Sequence, residues 1–239
     1  IFILLMKLTY KYSDGVISAF KSVQKECETF FNIPPNKNYL IYNPIDFKKI
    51  KNLFDKNFNF KFFNKNSINI ISIGRLTRQK NFESLIKCAN YMKNIQKKKI
   101  KILIIGEGEL YNKLDQSIKN YKLINEVKII NFVTNPFKYI SKADVFVQTS
   151  LWEGGSNILV EALVNNTKVV CYNSPGGTKE ILGNGKYGML SRLNDYKDLS
   201  NNIIKAFTAK KKKKIKSLSL FNFEKNIFKY ISLIEKSKI

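Results

Sequence analysis

The sequence contains no histidine, only three arginines among 42 basic residues, and three cysteines in 239 residues. Without histidine, no imidazole is present to act as general base or metal ligand, the commonest choice for both. The cysteines, Cys27, Cys88 and Cys171, are far apart and odd in number. That spacing makes neither a disulfide framework nor a metal cluster, and points to a reducing compartment. No Asp-x-Asp pair is present to hold a divalent ion. No apolar run approaches the roughly 20 residues that span a bilayer. The opening Ile1-Phe2-Ile3-Leu4-Leu5-Met6 is too short, and lacks the basic start and small-residue cleavage site of a signal peptide. The expected location is cytoplasmic. An initiator methionine is also lacking, and the chain opens inside an amphipathic pattern, so the expectation is a fragment whose upstream part is missing.

What is abundant is lysine, and the formal net charge is +24. A strongly basic chain suggests nucleic acid or an anionic membrane as partner. Yet the arginines are only Arg75, Arg78 and Arg192, whereas phosphate readers favour the planar guanidinium fork. Much Lys, Asn and Ile with little Arg reads as compositional bias and solubility. Peripheral contact with the inner membrane face is a secondary expectation, each basic residue near anionic lipid adding on the order of 1 kcal/mol. A hydrophobic content of 44% and an aromatic content of 13% place the chain among globular proteins.

From Ile68 onward, strand and helix patterns alternate. Strands are predicted at Ile68–Ile73, Ile100–Ile105, Val127–Ile130, Asp144–Val147, Lys168–Cys171 and Tyr187–Leu190. Helices are predicted at Phe82–Lys97, Glu109–Tyr121, Pro136–Ser141, Ile158–Asn165, Thr178–Leu182 and Tyr196–Ala209. Several strands are unbroken Ile/Val/Leu runs, the mark of a parallel sheet covered on both faces. The fold class is therefore α/β, a doubly wound parallel sheet. Upstream, residues 1–12 read as the end of a helix, Gly15–Ser18 as a strand, Ser18–Phe31 as a helix and Tyr39–Tyr42 as a strand. Phe47–Asn66 reads as a connection rich in Lys, Asn and Phe.

Ligands of doubly wound sheets bind beyond the carboxyl ends of the strands, so the loops there are the candidates. The most informative runs from Thr149 to Leu163. Glu153-Gly154-Gly155 turns into a helix opened by Ser156 and Asn157, both good N-caps. A glycine turn feeding a helix start presents unpaired N–H groups and binds anions. Glu153 and Glu161, with seven residues between them, bracket it. An anion site flanked by carboxylates suits phosphates with hydroxyls at both ends, as in a nucleotide sugar. Arg75 and Lys80, in the loop after the first strand, can share the charges of a diphosphate. Gly106-x-Gly108 is a weak signal, and the longer Gly-x-Gly-x-x-Gly pattern fails at Tyr111, which disfavours a nicotinamide cofactor.

Gly74-Arg75-Leu76 … Lys80-Asn81, Gly106-Glu107-Gly108, Ala143 to Val147, Glu153-Gly154 … Glu161-Ala162 and Pro175-Gly176-Gly177 … Glu180 occur in that order. The set resembles the retaining glycosyltransferases of family 4, also called glycosyltransferase group 1, over about residues 10–208. Tyr42-Asn43-Pro44-Ile45-Asp46 is similar to their interdomain linker. The resemblance implies the GT-B fold, two Rossmann-like domains across a cleft. Residues 1–45 would be the tail of the acceptor domain and linker, 46–218 the donor-binding domain, and 219–239 a helix packing back. It implies a donor site of Gly74, Arg75, Lys80, Gly108, Val133, Thr134, Glu153, Gly154, Gly155, Ser156, Asn157 and Glu161. Of these, Arg75, Lys80 and Glu153 would be catalytic: the two cations on the diphosphate, Glu153 on the sugar. Glu161 would meet the ribose, and Val133 and Thr134 would lie near the base.

No cofactor and no metal are implied, only a nucleoside-diphosphate sugar as donor and a glycan or polyprenol-linked acceptor, with surface polysaccharide as the product. Gly155 departs from the family, standing where a larger residue is usual, which would loosen the sugar pocket. The acceptor domain is nearly absent, with its glycine-rich loop and usual histidine, so the fragment by itself would bind donor without catalysing transfer. Two other readings stay open. One is a basic module for polyanions or nucleic acid, motivated by Lys97-Lys98-Lys99 and Lys210 to Lys214 but lacking interleaved aromatics. The other is a non-catalytic GT-B subunit.

Overall fold

A computed structural model describes residues 2–55, 57–210 and 215–236 of the chain. Helix α1 (Phe2–Lys11), strand β1 (Val16–Ser18), α2 (Lys21–Thr29), β2 (Asn38–Leu40) and α3 (Phe47–Leu53) come first. There follow β3 (Ile68–Ile73), α4 (Phe82–Asn94), β4 (Ile100–Ile105), α5 (Tyr111–Asn120), β5 (Val127–Ile130), α6 (Phe137–Ile140) and β6 (Val145–Gln148). The chain continues through α7 (Asn157–Val164), β7 (Lys168–Tyr172), α8 (Thr178–Ile181), β8 (Met189–Ser191), α9 (Tyr196–Thr208) and α10 (Phe223–Lys236).

Six strands form one parallel sheet in the order β5-β4-β3-β6-β7-β8. Growth starts at β3, runs one way through β4 and β5, then returns to place β6 on the other flank of β3. That reversal is the topological switch point, where the loops leaving β3 and β6 diverge and open a crevice. Pairing across it is short, Ile70 with Val145 and Ile71 with Phe146. The central strands are buried on both faces, as their unbroken apolar runs predict. Successive side chains serve opposite cores. Ile70, Ile102, Val145 and Val170 face α4, α5 and α9, whereas Ile71, Leu103, Phe146 and Cys171 face α3, α6, α7 and α8.

The second core also takes in residues from both ends of the chain. β1 and β2 pair with each other as a separate parallel ribbon, Val16 to Asn38 through Ser18 to Leu40. Just beyond them, Phe20 and Tyr42 pack with Phe221 in a ring cluster, with centroids 5.5 to 5.9 Å apart. Ile45 N–H donates to the Phe221 carbonyl at 2.9 Å, so the linker and the approach to α10 run side by side.

Several predicted boundaries shift, as for the helix read at Ser18–Phe31, which is Lys21–Thr29, and the strands read at Tyr39–Tyr42 and Tyr187–Leu190, which are Asn38–Leu40 and Met189–Ser191. Phe47–Asn66 begins with α3 rather than an open connection. Asp46 caps it, accepting from Lys49 N–H at 2.9 Å, and Ile50 is buried in the second core. α4 ends at Asn94, short of Lys97, because the Tyr91 carbonyl takes both Ile95 and Gln96 N–H groups and Lys97 turns to φ 52°. The lysines at 97–99 are therefore an exposed loop. Lys211 to Lys214 and residues 237–239 lie outside the described residues.

Candidate functional site

The loops after β3 and β6, on either side of the switch point, are stitched together by their backbones. Leu151 N–H donates to the Gln79 carbonyl at 2.8 Å, and the Thr149 hydroxyl to the Lys80 carbonyl at 2.8 Å. Gln79 returns a side-chain bond to the Trp152 carbonyl at 2.9 Å. A 3-10 turn over Arg78–Lys80, closed by Asn81 in the left-handed conformation, aims Lys80 inward. Lys80 Nζ forms an ion pair with Glu153 Oε1. The same oxygen accepts from the Ser150 hydroxyl at 2.6 Å. Glu153 is 5% exposed, and a carboxylate so buried is tolerable only when paired in this way.

The Glu153 turn is also fastened to the loop after β7. Glu153 N–H donates to the Pro175 carbonyl at 3.0 Å, and Gly177 N–H to the Glu153 carbonyl at 3.1 Å. Gly176 has φ 107°, and a Cβ there would lie 1.5 Å from the Glu153 carbonyl oxygen. Only glycine satisfies both demands. A Cβ on Gly154 would meet nothing within 4 Å, so that residue faces open space. Among the described residues, the N–H groups of Gly154, Gly155, Ser156 and Asn157 have no backbone acceptor. They stand at the start of α7, where the helix dipole adds partial positive charge. A row of donors without backbone acceptors, next to a lysine, has the chemistry to hold an anion.

Ser156 takes the N-cap position as expected, but its hydroxyl makes no cap bond and is buried without a partner. Asn157 is the first helical residue rather than a cap, and its side-chain oxygen accepts from Asn43 of the linker at 2.9 Å. Glu161 lies just over one turn into α7, half-buried, and burial pushes its carboxyl up to about 6.

The remaining predicted residues line the same edge of the sheet. Gly74 and Arg75 leave the end of β3, beside the β6 turn. Gly74 leaves just enough room for the Lys80 stem, 3.2 Å from an added Cβ, and the Arg75 side chain is exposed. Gly106 and Gly108 let the loop after β4 press onto the loop after β3. A Cβ on Gly106 would lie 1.9 Å from the Gly74 carbonyl oxygen, and one on Gly108 2.6 Å from that of Leu76. The Gly-x-Gly pattern is thereby explained by close backbone packing. Val133 packs on the second core and Thr134 is exposed, both beyond β5 at the far end of the edge.

The structure thus brings Lys80, Glu153 and Gly154 to Asn157 into one cluster. Gly108, Val133 and Thr134 stand further along the edge, over β4 and β5. Sequence reasoning missed Ser150, although its place three residues before Glu153 was a signal. It also missed Phe20, which no local pattern marks, and the packing role of Tyr42, which it placed only in the linker. The space beside Gly155, expected to be open, is occupied. The ring of Phe20 fills that space, as a Cβ on Gly155 would lie 1.7 Å from it.

Comparison with known proteins follows the same lines. Over 238 residues the chain is 29% identical to the N-acetylgalactosamine-N,N'-diacetylbacillosaminyl-diphospho-undecaprenol 4-alpha-N-acetylgalactosaminyltransferase of Campylobacter jejuni, covering 95% of the chain and 62% of that protein. It is 34% identical over 209 residues to an uncharacterized glycosyltransferase of Methanocaldococcus jannaschii, covering 80% of the chain and 51% of that protein. The chain therefore spans only about half to three-fifths of the length of these relatives. The crystal structure of Anabaena Alr3699/HepE in complex with UDP-glucose superposes with a TM-score of 0.79 at 18% identity, over 98% of this chain and 66% of that one. A likeness at that identity carries the fold alone. The family model described as glycosyl transferases group 1 matches residues 54–218, from the end of α3 through the last strand and helix of the sheet, and the chain belongs to that family.

Proposed function

We propose that this protein moves a sugar from a nucleoside-diphosphate sugar to a glycan or polyprenol-linked acceptor, with retention of anomeric configuration and without a metal. In this reading residues 46–218 bind the donor, residues 1–45 end the acceptor domain and contain the linker, and 219–239 pack back toward that domain. The observation that carries it is the cluster at the switch point: the Lys80–Glu153 pair beside the free N–H row of Gly154 to Asn157. The names of the relatives support it. One transfers a sugar to a diphospho-undecaprenol-linked acceptor, and the Anabaena protein was solved with UDP-glucose. The exposed apolar residues of α1 (Ile3, Leu4, Leu5, Leu8) and of α10 (Phe228, Ile231, Ile234) fit a larger protein that covers them. Cytoplasmic work at the inner membrane face, in surface polysaccharide assembly, completes the reading. Among the described residues no helix is long and apolar enough to cross a membrane.

The chemistry follows from charge. As the sugar–oxygen bond breaks, its electron pair stays with the diphosphate, while the anomeric carbon turns cationic. Arg75, Lys80 and the α7 amides stabilise the leaving group, and losing one such preorganised donor typically costs about 3 kcal/mol of barrier. Lys80 is committed to Glu153 in the free protein. An incoming phosphate competes for that ammonium, which frees Glu153 to accept from sugar hydroxyls beside the cationic carbon. The acceptor hydroxyl then attacks from the face the diphosphate leaves, its proton passing to the departing phosphate oxygen as the new sugar–oxygen bond forms.

Calorimetric titration of the full-length protein with UDP-, GDP- and ADP-sugars, in buffer containing EDTA, tests the reading. One of them is expected to bind, and Lys80→Ala to weaken it by about 100-fold, as expected for a lost charge-assisted contact. Absence of binding across the panel would sink the donor site.

A further inference from the structure

Two glycines of the candidate site, Gly155 and Gly177, border one side chain from opposite edges. A Cβ on Gly155 would lie 1.7 Å from Cε2 of Phe20, and a Cβ on Gly177 would lie 2.4 Å from Cδ1 of the same ring. Neither glycine has a positive φ, so backbone conformation does not require glycine at either position. The ring does. Phe20 is 1% exposed, although it comes from the segment between β1 and α2, far from these turns in sequence.

The ring is held there from several sides. Tyr42 and Phe221 pack on it edge-on and tilted. The next residue, Lys21, donates its N–H to Glu180 Oε2 at 3.0 Å, and the Tyr42 hydroxyl donates to Glu180 Oε1. Glu180 sits in α8, directly after the Gly176-Gly177 turn. The amino-terminal segment therefore grips the far side of the slot by hydrogen bonds and fills the slot with its ring. Beyond the ring, Asn43 reaches Asn157 at the start of α7.

We propose that Phe20 is a positioning residue of the donor site: its ring supplies, from the amino-terminal segment, the bulk that position 155 lacks. It thereby holds the Gly154 to Asn157 turn at a fixed distance from the Gly176-Gly177 turn. The proposal rests on the donor-site reading above. Its consequence is that donor affinity depends on the docking of the segment around Phe20, because withdrawing the ring leaves the two glycine-bearing turns joined only through the backbone bonds of Glu153. A displacement of such a turn by about 1 Å is enough to cost up to 100-fold in a site that works by positioning.

The test is a double-mutant cycle in the full-length protein, reading nucleotide-sugar affinity by titration and melting temperature in parallel. Phe20→Ala is expected to weaken the binding nucleotide sugar by at least about tenfold, and Gly155→Leu, which collides with the ring, by a similar factor. The double variant is expected to recover to within about threefold of the parent, because leucine at 155 takes the vacated space. Phe20→Leu, which keeps most of the buried volume, guards against a variant that does not fold and is expected to lose affinity to an intermediate extent. If Phe20→Leu lowers the melting temperature but leaves affinity unchanged, or if the two single losses simply add in the double variant, the ring is core filling and the proposal is wrong. A parent protein that binds no nucleotide sugar instead overturns the donor-site reading itself, and the proposal with it.

Discussion

Glu161 and Glu153 carry the same functional group in different surroundings, and this separates their roles. Glu153 is ion-paired with Lys80 and accepts from the Ser150 hydroxyl, whereas burial alone acts on Glu161, raising it to about 6. The sign for stability is that of a carboxyl raised on folding. Its penalty is absent below the ordinary value of 4.5 and develops as pH rises toward about 6. For ligand binding the sign reverses. In the proposed site, donor hydroxyls would hydrogen-bond the ionised carboxylate and draw its proton off, so affinity is expected to rise with pH through about 6. At a pH one unit below that value only about a tenth of the carboxyl is ionised, so nucleotide-sugar affinity should fall about tenfold there relative to pH 7.5. Glu161→Gln should flatten the profile. The intact nucleotide sugar is the right probe, since its diphosphate has no ionisation in that range. A slope unchanged in Glu161→Gln would remove Glu161 from the site.

At the scale of elements, the sheet was legible because buried parallel strands must be continuous apolar runs. Ile68–Ile73, Ile100–Ile105 and Val127–Ile130 fall where the sequence predicts them. The Glu153 turn was legible because glycines, an N-cap position and an apolar helix follow one another within it. What was hidden has a common physical origin. Phe20 and Tyr42 act through contacts with residues more than a hundred positions away, and α3 rests on one Asp46 cap inside a biased, lysine-rich stretch. Glycines that looked alike in sequence also differ in purpose. Gly176 is required by a φ of 107° and by the Glu153 carbonyl, whereas Gly154 borders open space. Gly176→Ala should therefore destabilise the protein by about 3 kcal/mol in urea unfolding, the scale of strain combined with a close clash. Gly154→Ala should stay within about 0.5 kcal/mol. Equal losses in the two variants would contradict this division of the turn.

At the scale of the whole molecule, both faces of the sheet are closed, and the second core is completed by Phe20, Tyr42 and Phe221 from the two flanks of the chain. The net charge of +24 lies largely on exposed lysines, as at Lys97 to Lys99, away from the switch point. Charge spread in this way favours solubility and long-range attraction of anions, but it does not build a site. The candidate site lies where β3 and β6 part, and in the proposed function a diphosphate seats on the amides that open α7. Residue-resolved hydrogen exchange of the full-length protein, with and without the nucleotide sugar it binds, tests that claim most directly. Slower exchange is expected at Gly154 to Asn157 and in the loop from Gly74 to Lys80, with Lys97 to Lys99 unchanged. Protection confined to the lysine-rich loop, with the α7 amides exchanging as before, would contradict it.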